Sequence, residues 1–156
     1  MSTEPPEISI VIPVHDEEVA IGADLDLIHA TMESTGHRYE IIVVDDGSSD
    51  GTAEIVRARP WVRLLQHATN RGTGASMITG IRQALGEVVV MTDGDGTYPN
   101  QDIPRLLALM GENDMVIGAR TQERGTARWL RSPAKYFIRK LASYLTETRI
   151  PDLNSG

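Results

Sequence analysis

The feature that most restricts the fold is a set of short, continuous apolar runs that end in polar residues. The segments EISIVIPV (7–14) and EIIVVDD (40–46) are rich in β-branched residues and do not alternate with polar ones. Such runs are typical of strands covered on both faces, as in a parallel sheet. Three more segments share this character: WVRLLQH (61–67), EVVVMTD (87–93) and DMVIGAR (114–120). The sequence therefore predicts five strands of a mainly parallel sheet.

Helical segments are predicted between these strands. Residues 17–34 place apolar side chains near helical spacing, at Val19, Ile21, Leu25, Ile28 and Met32. Further helices are predicted over 52–59 with Ser49 or Asp50 as cap, from Thr73 or Gly74 to Leu85, and from the turn that holds Pro104 to near Met110. Strand and helix alternate, which indicates an α/β doubly wound sheet with helices on both faces and right-handed crossovers.

Length and composition limit the remaining choices. A chain of 156 residues is the size of one domain. It has no cysteine, so disulfides, thiolate metal sites and cysteine nucleophiles are excluded, and any metal must bind oxygen or imidazole. No run approaches the length of a membrane-spanning helix, and no basic leader precedes an apolar segment, so we expect a soluble chain.

The charge is distributed unevenly along the chain. Residues 1–119 carry a net charge of -12 and residues 120–156 a net charge of +5. From 127 to 146 the apolar residues recur every three or four positions with Arg and Lys among them, which predicts a basic amphipathic helix. This helix either neutralises the acidic body or meets an anionic partner. Nucleic acid is not expected, because the acidic body would repel a long polyanion.

Polar clusters follow each of the predicted strands. They are PVHDEE, DDGSSDGT, NRGTGAS, DGDGTYP and GAR. In an open parallel sheet, ligands bind outside the carboxyl ends of the strands. The carboxyl edge is therefore predicted to be the functional edge.

The segment DGDGTYP carries the most specific chemistry. Asp93 and Asp95 are separated by Gly94, so in an extended segment both carboxylates face the same side. Such oxygen ligands suit Mg²⁺ or Mn²⁺ bound together with substrate phosphates. The alternative is an ordinary Asp-Gly turn in a surface loop.

The other clusters leave two readings open. Asp46 is predicted to accept hydrogen bonds from a base or ribose, and Asp50 to cap the next helix. The glycines of NRGTGAS either present backbone N–H groups to an anion or serve a tight loop. His15 either stacks on a base or fills a loop. His67, like His29 and His37, is interpreted as an ordinary surface or boundary residue.

These motifs, in this order and with the final PDLNSG, resemble the family 2 glycosyltransferases. The resemblance is greatest to their dolichyl-phosphate mannose synthase and polyprenyl-phosphate glycosyltransferase branch. It implies a nucleotide-diphospho-sugar transferase fold. It also implies a metal-dependent, inverting enzyme that moves a hexose from a GDP-mannose or UDP-glucose type donor to a polyprenyl (dolichyl-type) phosphate.

The resemblance also implies roles for individual residues. Around the nucleotide it implies Pro13, Val14, His15, Glu17, Val44, Asp46, Asp93, Gly94 and Asp95. As metal ligands it implies Asp93, Asp95 and Thr97, and as catalytic or acceptor-phosphate residues Asp95, Arg120, Arg131 and Ser132. Asp16 stands where relatives commonly have asparagine, and Thr97 where some have glutamine.

For the tail, the resemblance implies that the basic helix lies along an anionic membrane surface, at the cytoplasmic face, and guides a lipid phosphate inward. We therefore divide the chain into a nucleotide-sugar-binding core, 1–126, and the start of an acceptor region, 127–156. Relatives continue beyond the equivalent of PDLNSG, so the fold is expected to be incomplete at the C-terminus.

Four other functions share parts of this pattern. A nucleotidyltransferase also uses two carboxylates and a dication, but it needs a basic glycine-rich loop after the first strand, where this chain has the acidic PVHDEE. A dehydrogenase needs GxGxxG there, and the chain lacks it. A glycosyltransferase with another acceptor, or a non-catalytic nucleotide-sugar-binding module, stays open.

Overall fold

The computed structural model describes residues 4–118. Four strands alternate with helices over this part of the chain. The strands are β1 (Ile8–Val14), β2 (Tyr39–Asp45), β3 (Val62–Gln66) and β4 (Val88–Met91). The helices are α1 (Ile21–Glu33), α2 (Thr52–Arg57), α3 (Thr73–Gln83) and α4 (Ile103–Leu107), and a short 3-10 helix, Asn100–Asp102, precedes α4.

The four strands form one parallel sheet in the order β3-β2-β1-β4. β1 lies in the centre, with Ile8 beside Tyr39 of β2 and beside Val88 of β4. The chain runs outward from β1 through β2 to β3 and then returns to the other side of β1 for β4. The α/β doubly wound fold predicted from the sequence is confirmed.

One face of the sheet carries the hydrophobic core. Alternate residues of β1, among them Ile10 and Ile12, contact the apolar stripe of α1. That stripe consists of Ile21, Leu25, Ile28 and Met32, all fully buried, so the helical spacing read from the sequence is confirmed. The helix begins at Ile21, however, and Val19 is 95% exposed, so its inclusion in the helix was wrong.

Helix α3 covers the opposite face of the sheet and lies very close to it. A Cβ atom at Gly80 would come within 2.3 Å of Val11 Cγ1 and 3.2 Å of Val44 Cγ2. Only glycine permits this approach, because any side chain would displace β1 or β2. The close packing fixes the distance of α3 from β1 and β2.

The last predicted strand is not found where the structure describes the chain. Residues 114–118 of the segment 114–120 form no strand, and Met115 and Ile117 are largely exposed. Among residues 4–118 no strand pairs with this short apolar run, and without a ladder of hydrogen bonds an apolar run does not make a strand. Helix α4 ends at Leu107, and not near Met110 as predicted.

Two compact units are present, Met1–Ala108 and Leu109–Gly156. All the elements above belong to the first unit, and residues 109–118 of the second are described. The predicted boundary between 126 and 127, and the basic helix at 127–146, lie outside the described residues and stay predictions. Within residues 4–118, no helix has the length and apolar character required to cross a bilayer.

Candidate functional site

A cavity of about 320 Å³ opens at the carboxyl edge of the sheet. It lies where the strand order reverses, between β1 and β4, which is the position at which open parallel sheets bind ligands. Most of the residues predicted from the sequence line it, namely Pro13, Val14, His15, Glu17, Asp46, Asp93, Gly94 and Asp95. Four further lining residues come from the loop and first turn of α3, namely Asn70, Gly72, Thr73 and Ser76.

The acidic loop after β4 lines one side of this cavity. Gly94 is buried, and a Cβ atom there would lie 2.7 Å from Ile21 Cδ1 and 2.8 Å from Val14 Cγ1. The absence of a side chain thus lets the loop lie directly on α1 and the end of β1. Asp95 Oδ1 accepts hydrogen bonds from the backbone nitrogen of Thr97 at 2.9 Å and from its hydroxyl at 2.6 Å. Thr97 therefore orients Asp95, and it does not line the cavity.

Asp24 of α1 supports the same loop and was not recognised in the sequence. Asp24 is 6% exposed, and its Oδ2 accepts a hydrogen bond from the backbone nitrogen of Gly96 at 2.8 Å. Burial raises the pKa of Asp24, the Gly96 N–H opposes this, and the charge of Asp95 adds to the rise. In the sequence Asp24 looks like any polar residue of an amphipathic helix, so only the fold identifies it.

Glu17 lies among other carboxylates at the cavity. Burial raises the pKa of its carboxyl, and the charges of Asp95, Asp50, Asp93 and Asp16 raise it further. Carboxylates that repel one another in this way are stabilised by a cation. Glu17 itself is held through its backbone nitrogen, which donates to Thr52 Oγ1 at 2.8 Å.

The ligand atoms available for a cation are hard oxygens. Across residues 4–118, no group of three or more His, Asp or Glu side chains is arranged to hold a metal ion alone. Asp93 and Asp95 both line the cavity and are the candidate ligands of a metal ion. Mg²⁺ and Mn²⁺ commonly bind one or two carboxylates together with substrate phosphates. The donor set therefore fits such an ion when a phosphate-bearing ligand completes it.

Asp46 occupies the other side of the cavity and is almost fully buried. Its carboxylate accepts hydrogen bonds from His67 Nδ1 at 2.6 Å and from the backbone nitrogens of Arg71 and Gly72 at 3.0 and 2.7 Å. Burial pushes the pKa of Asp46 upward, but the hydrogen bonds from His67, Arg71 and Gly72 outweigh it and lower the pKa. Asp46 is thus an ionised acceptor at neutral pH.

His67 was interpreted from the sequence as an ordinary surface or boundary residue, and this is wrong. Its side chain is 7% exposed and bridges Asp46 to Thr79 of α3. No local signal in the sequence marks it. The parallel register of the structure places Asp45 beside Gln66, and hence the following residues, Asp46 and His67, side by side.

The loops after β1 and β2 are joined by reciprocal hydrogen bonds. The backbone nitrogen of Asp16 donates to Ser48 Oγ at 3.0 Å, and that of Ser49 donates to Asp16 Oδ1 at 2.7 Å. Asp50 accepts from the backbone nitrogens of Glu18 and Thr52, and thus binds both loops. Helix α2 has Gly51 at its cap position, so the predicted cap residue, Asp50, acts from one residue further back.

The other predicted residues fall elsewhere. His15 is exposed at the cavity, with Nε2 3.5 Å from Asp16 Oδ2. Val44 is fully buried beneath α3 and does not line the cavity. Arg120, Arg131 and Ser132 lie outside the described residues, so their roles at an acceptor phosphate stay predictions.

Comparison with known proteins identifies the family. The model of the family described as Glycosyl transferase family 2 matches residues 9–153. An undecaprenyl-phosphate 4-deoxy-4-formamido-L-arabinose transferase from Pseudomonas savastanoi pv. phaseolicola is 37% identical over 134 residues. The match covers 82% of this chain and 40% of that protein, so the chain spans less than half the length of this relative.

Solved structures agree with this result. A mannosyltransferase from Pyrobaculum calidifontis in complex with GDP-Man and Mn²⁺ is 31% identical, with a TM-score of 0.53 over 64% of this chain and 30% of that one. Glucosyl-3-phosphoglycerate synthase from Mycobacterium tuberculosis, 23% identical, shows the same fold with a TM-score of 0.71 over 96% of this chain and 54% of that one. The chain belongs to glycosyl transferase family 2, as the sequence motifs predict.

Proposed function

We propose that this family 2 glycosyltransferase moves a hexose from a nucleotide diphospho-sugar to a polyprenyl phosphate, with inversion at the anomeric carbon. The observation that carries the proposal is the cavity at the carboxyl edge. It brings the carboxylates of Asp93 and Asp95 together with Asp46 on its opposite side. A nucleotide diphospho-sugar fits both sides at once: its diphosphate suits Asp93 and Asp95, and its nucleoside suits Asp46.

The acidic side fits the diphosphate through a divalent cation. Asp93 and Asp95 would hold Mg²⁺ or Mn²⁺, which offsets the negative charge that a nucleoside diphosphate gains as it leaves. The raised pKa of Glu17 supports this assignment, because its causes include, after burial, the charges of Asp95 and Asp93 at the same place. The relative from P. calidifontis, solved with GDP-Man and Mn²⁺, is consistent with it.

The opposite side fits a nucleoside. Asp46 is an ionised acceptor at the cavity wall, so it suits a base edge or ribose that presents N–H or O–H donors. Uracil and guanine both carry ring N–H groups. This agrees with a donor of the UDP-glucose or GDP-mannose type.

The acceptor is proposed from relatives and from charge. The P. savastanoi relative is named as an undecaprenyl-phosphate transferase, which supports the polyprenyl-phosphate branch predicted from the sequence. The net charge of +5 over residues 120–156 suits a lipid phosphate at an anionic membrane surface, at its cytoplasmic face. Within that segment Arg120, Arg131 and Ser132 are the residues proposed to hold the acceptor phosphate.

The chemistry needs positioning more than proton transfer. A phosphate oxygen of the acceptor is already anionic at neutral pH, so it attacks the anomeric carbon without a general base. A new carbon–oxygen bond forms on one face as the bond to the diphosphate breaks on the other, and the nucleoside diphosphate leaves with the electron pair. The protein's part is to hold two anionic reactants in line.

The proposal is tested with the chain itself. UDP-glucose and GDP-mannose are incubated in turn with Mn²⁺ and a short polyprenyl phosphate, and the glycolipid and free nucleoside diphosphate are measured together. Equal amounts of both products support the transferase. Donor binding without either product indicates a non-catalytic module, and release of nucleoside diphosphate without glycolipid indicates another acceptor. A thermal-shift series of nucleoside diphosphates, with and without Mn²⁺, identifies the base.

A further inference from the structure

His67 connects three elements beside the cavity. It lies directly after β3, its Nδ1 atom is 2.6 Å from Asp46 Oδ1 at the end of β2, and its Nε2 atom is 3.0 Å from Thr79 Oγ1 on α3. Both ring nitrogens are therefore engaged, and the ring is 7% exposed. A histidine held at both nitrogens has a fixed ring orientation.

The direction of the bond to Asp46 follows from its partner. An ionised carboxylate only accepts hydrogen bonds, so Nδ1 of His67 carries the proton and donates it. Asp46 also receives the backbone N–H groups of Arg71 and Gly72. These three donors come from the end of β3 and from the loop that opens α3.

Asp46 can accept one further donor, because one of its hydrogen bonds is shared between its two oxygens. A carboxylate offers about four lone-pair sites, two on each oxygen. Three N–H donors of the protein make four contacts with these sites, because the Arg71 N–H lies 3.0 Å from both oxygens and is shared between them. A donor in the cavity that Asp46 lines can therefore take over one arm of this shared bond. Without the bond from His67, the carboxylate of Asp46 would be oriented by the two backbone donors alone. It would then no longer be aligned with a donor in the cavity.

We propose that His67 is a positioning residue for nucleotide recognition: it holds Asp46 so that one acceptor site of the carboxylate faces the nucleoside. Through the same carboxylate it also holds the backbone of Arg71 and Gly72, and Gly72 lines the cavity. This inference rests on the proposed function, because it names the nucleoside half of the same cavity. His67 does not line the cavity and acts through Asp46.

The experiment separates the two halves of the ligand. Calorimetric titrations measure the affinity of the chain for UDP and for GDP with Mn²⁺, and for inorganic pyrophosphate with Mn²⁺. The affinity for pyrophosphate reports binding at the acidic side alone, whereas the affinity for a nucleotide depends on both sides of the cavity. Three variants are compared: His67→Phe removes both hydrogen bonds, His67→Gln places an amide near Nε2 and keeps the bond to Thr79, and His67→Asn places an amide N–H near Nδ1 and keeps the bond to Asp46.

The expected result is a split between the ligands. His67→Phe and His67→Gln weaken binding of the preferred nucleotide by about tenfold or more, the effect of losing alignment of one hydrogen bond to a charged group. Both leave pyrophosphate affinity within about twofold of the wild type. His67→Asn recovers most of the nucleotide affinity. His37→Gln, at an exposed histidine paired with Glu7, is the matched control and changes neither affinity.

Other results overturn the inference in distinguishable ways. Equal losses for nucleotide and pyrophosphate would show that His67 merely stabilises the fold, and unchanged nucleotide affinity in His67→Gln would show that it does not act through Asp46. If His67→Phe does not fold, as judged by circular dichroism, the Gln and Asn pair decides. If the wild type binds pyrophosphate but neither UDP nor GDP, the proposed donor is wrong, whatever the variants do.

Discussion

Asp24 Oδ2 accepts a hydrogen bond from the backbone nitrogen of Gly96 at 2.8 Å, and this contact joins α1 to the acidic loop. Gly96 has a φ of 75°, so the loop turns sharply at the point where Asp24 holds it. Asp95 immediately precedes this point. The position of a carboxylate proposed to bind a cation therefore depends on a buried carboxylate that does not line the cavity.

Removing that support should weaken cation binding. We expect Asp24→Ala to lower the affinity for Mn²⁺ with pyrophosphate by about tenfold, because the unpaired loop samples orientations in which Asp95 does not face the ligand. Calorimetry measures the affinity. The control is Asp26→Asn on the same helix, where an exposed carboxylate pairs with Arg59. Unaltered affinity in Asp24→Ala would show that the loop keeps its shape without this bond.

The raised pKa of Glu17 predicts that cation binding releases protons. Two of its causes are the charges of Asp95 and Asp93, and a dication beside them would cancel both and lower the pKa of Glu17. Glu17 releases protons on binding at pH values between its lowered and its raised pKa. Affinity for Mn²⁺ with UDP should therefore increase with pH across this interval and level off above the raised value. Calorimetry at about pH 5 in buffers of different ionisation enthalpy counts the protons.

The variant Glu17→Gln isolates this effect. It removes the titrating carboxyl. Protons released by UDP itself are common to wild type and variant, so they cancel in the difference between the two. We expect the wild type to release more protons than the variant at about pH 5 and an equal number near pH 8. If wild type and variant released the same number of protons at about pH 5 as well as at about pH 8, the cation would not bind near Glu17.

Gly94 should be irreplaceable for steric reasons. In Gly94→Ala the new Cβ would meet Ile21 Cδ1 at 2.7 Å and Val14 Cγ1 at 2.8 Å. The flexible end of Ile21 can move, but Val14 is stiff at χ1, so we expect a loss of about 1–3 kcal/mol in the free energy of unfolding. Urea denaturation measures it. The control is Gly74→Ala, where no atom lies within 4 Å and alanine should be neutral or slightly stabilising.

Much of this architecture could be predicted because the relevant signals are local. The continuous apolar runs of β1 and β2 identify strands covered on both faces, and the spacing from Ile21 to Met32 identifies α1 and its buried stripe. The rule that ligands bind at the carboxyl ends of parallel strands then placed Asp46, Asp93 and Asp95 at one edge. In the structure all three line one cavity, and their roles in binding stay predictions.

What could not be predicted depends on contacts between distant segments. Asp24 and Gly96 are 72 residues apart, and neither has a distinctive local pattern. His67 becomes recognisable only through the register of β2 and β3, which local periodicity does not provide. The strand predicted over 114–120 was wrong for residues 114–118, because their composition favours a strand but no described neighbour pairs with them.

Replacing Asp95 tests the metal role directly. We expect Asp95→Asn to abolish turnover and Mn²⁺-dependent nucleotide binding, because the amide loses the negative charge but keeps an oxygen for the two bonds from Thr97. The loop should therefore keep its shape. Asp102→Asn, at a carboxylate paired with the exposed Arg105, serves as control and retains activity. Full activity in Asp95→Asn would exclude the metal role proposed for this residue.

Replacing Arg131 tests the proposed acceptor side. Its guanidinium is expected to bind the phosphate of the lipid acceptor with paired hydrogen bonds, which a neutral side chain cannot replace. Arg131→Ala should therefore raise the KM for polyprenyl phosphate by about tenfold or more while the KM for the nucleotide sugar stays within about twofold. Arg105→Ala, at a side chain that is 81% exposed, is the control for a general loss of positive charge and leaves both constants unchanged. A change in the donor constant alone would place Arg131 beside the nucleotide sugar, and the acceptor phosphate would then have to be held by other residues of the basic segment.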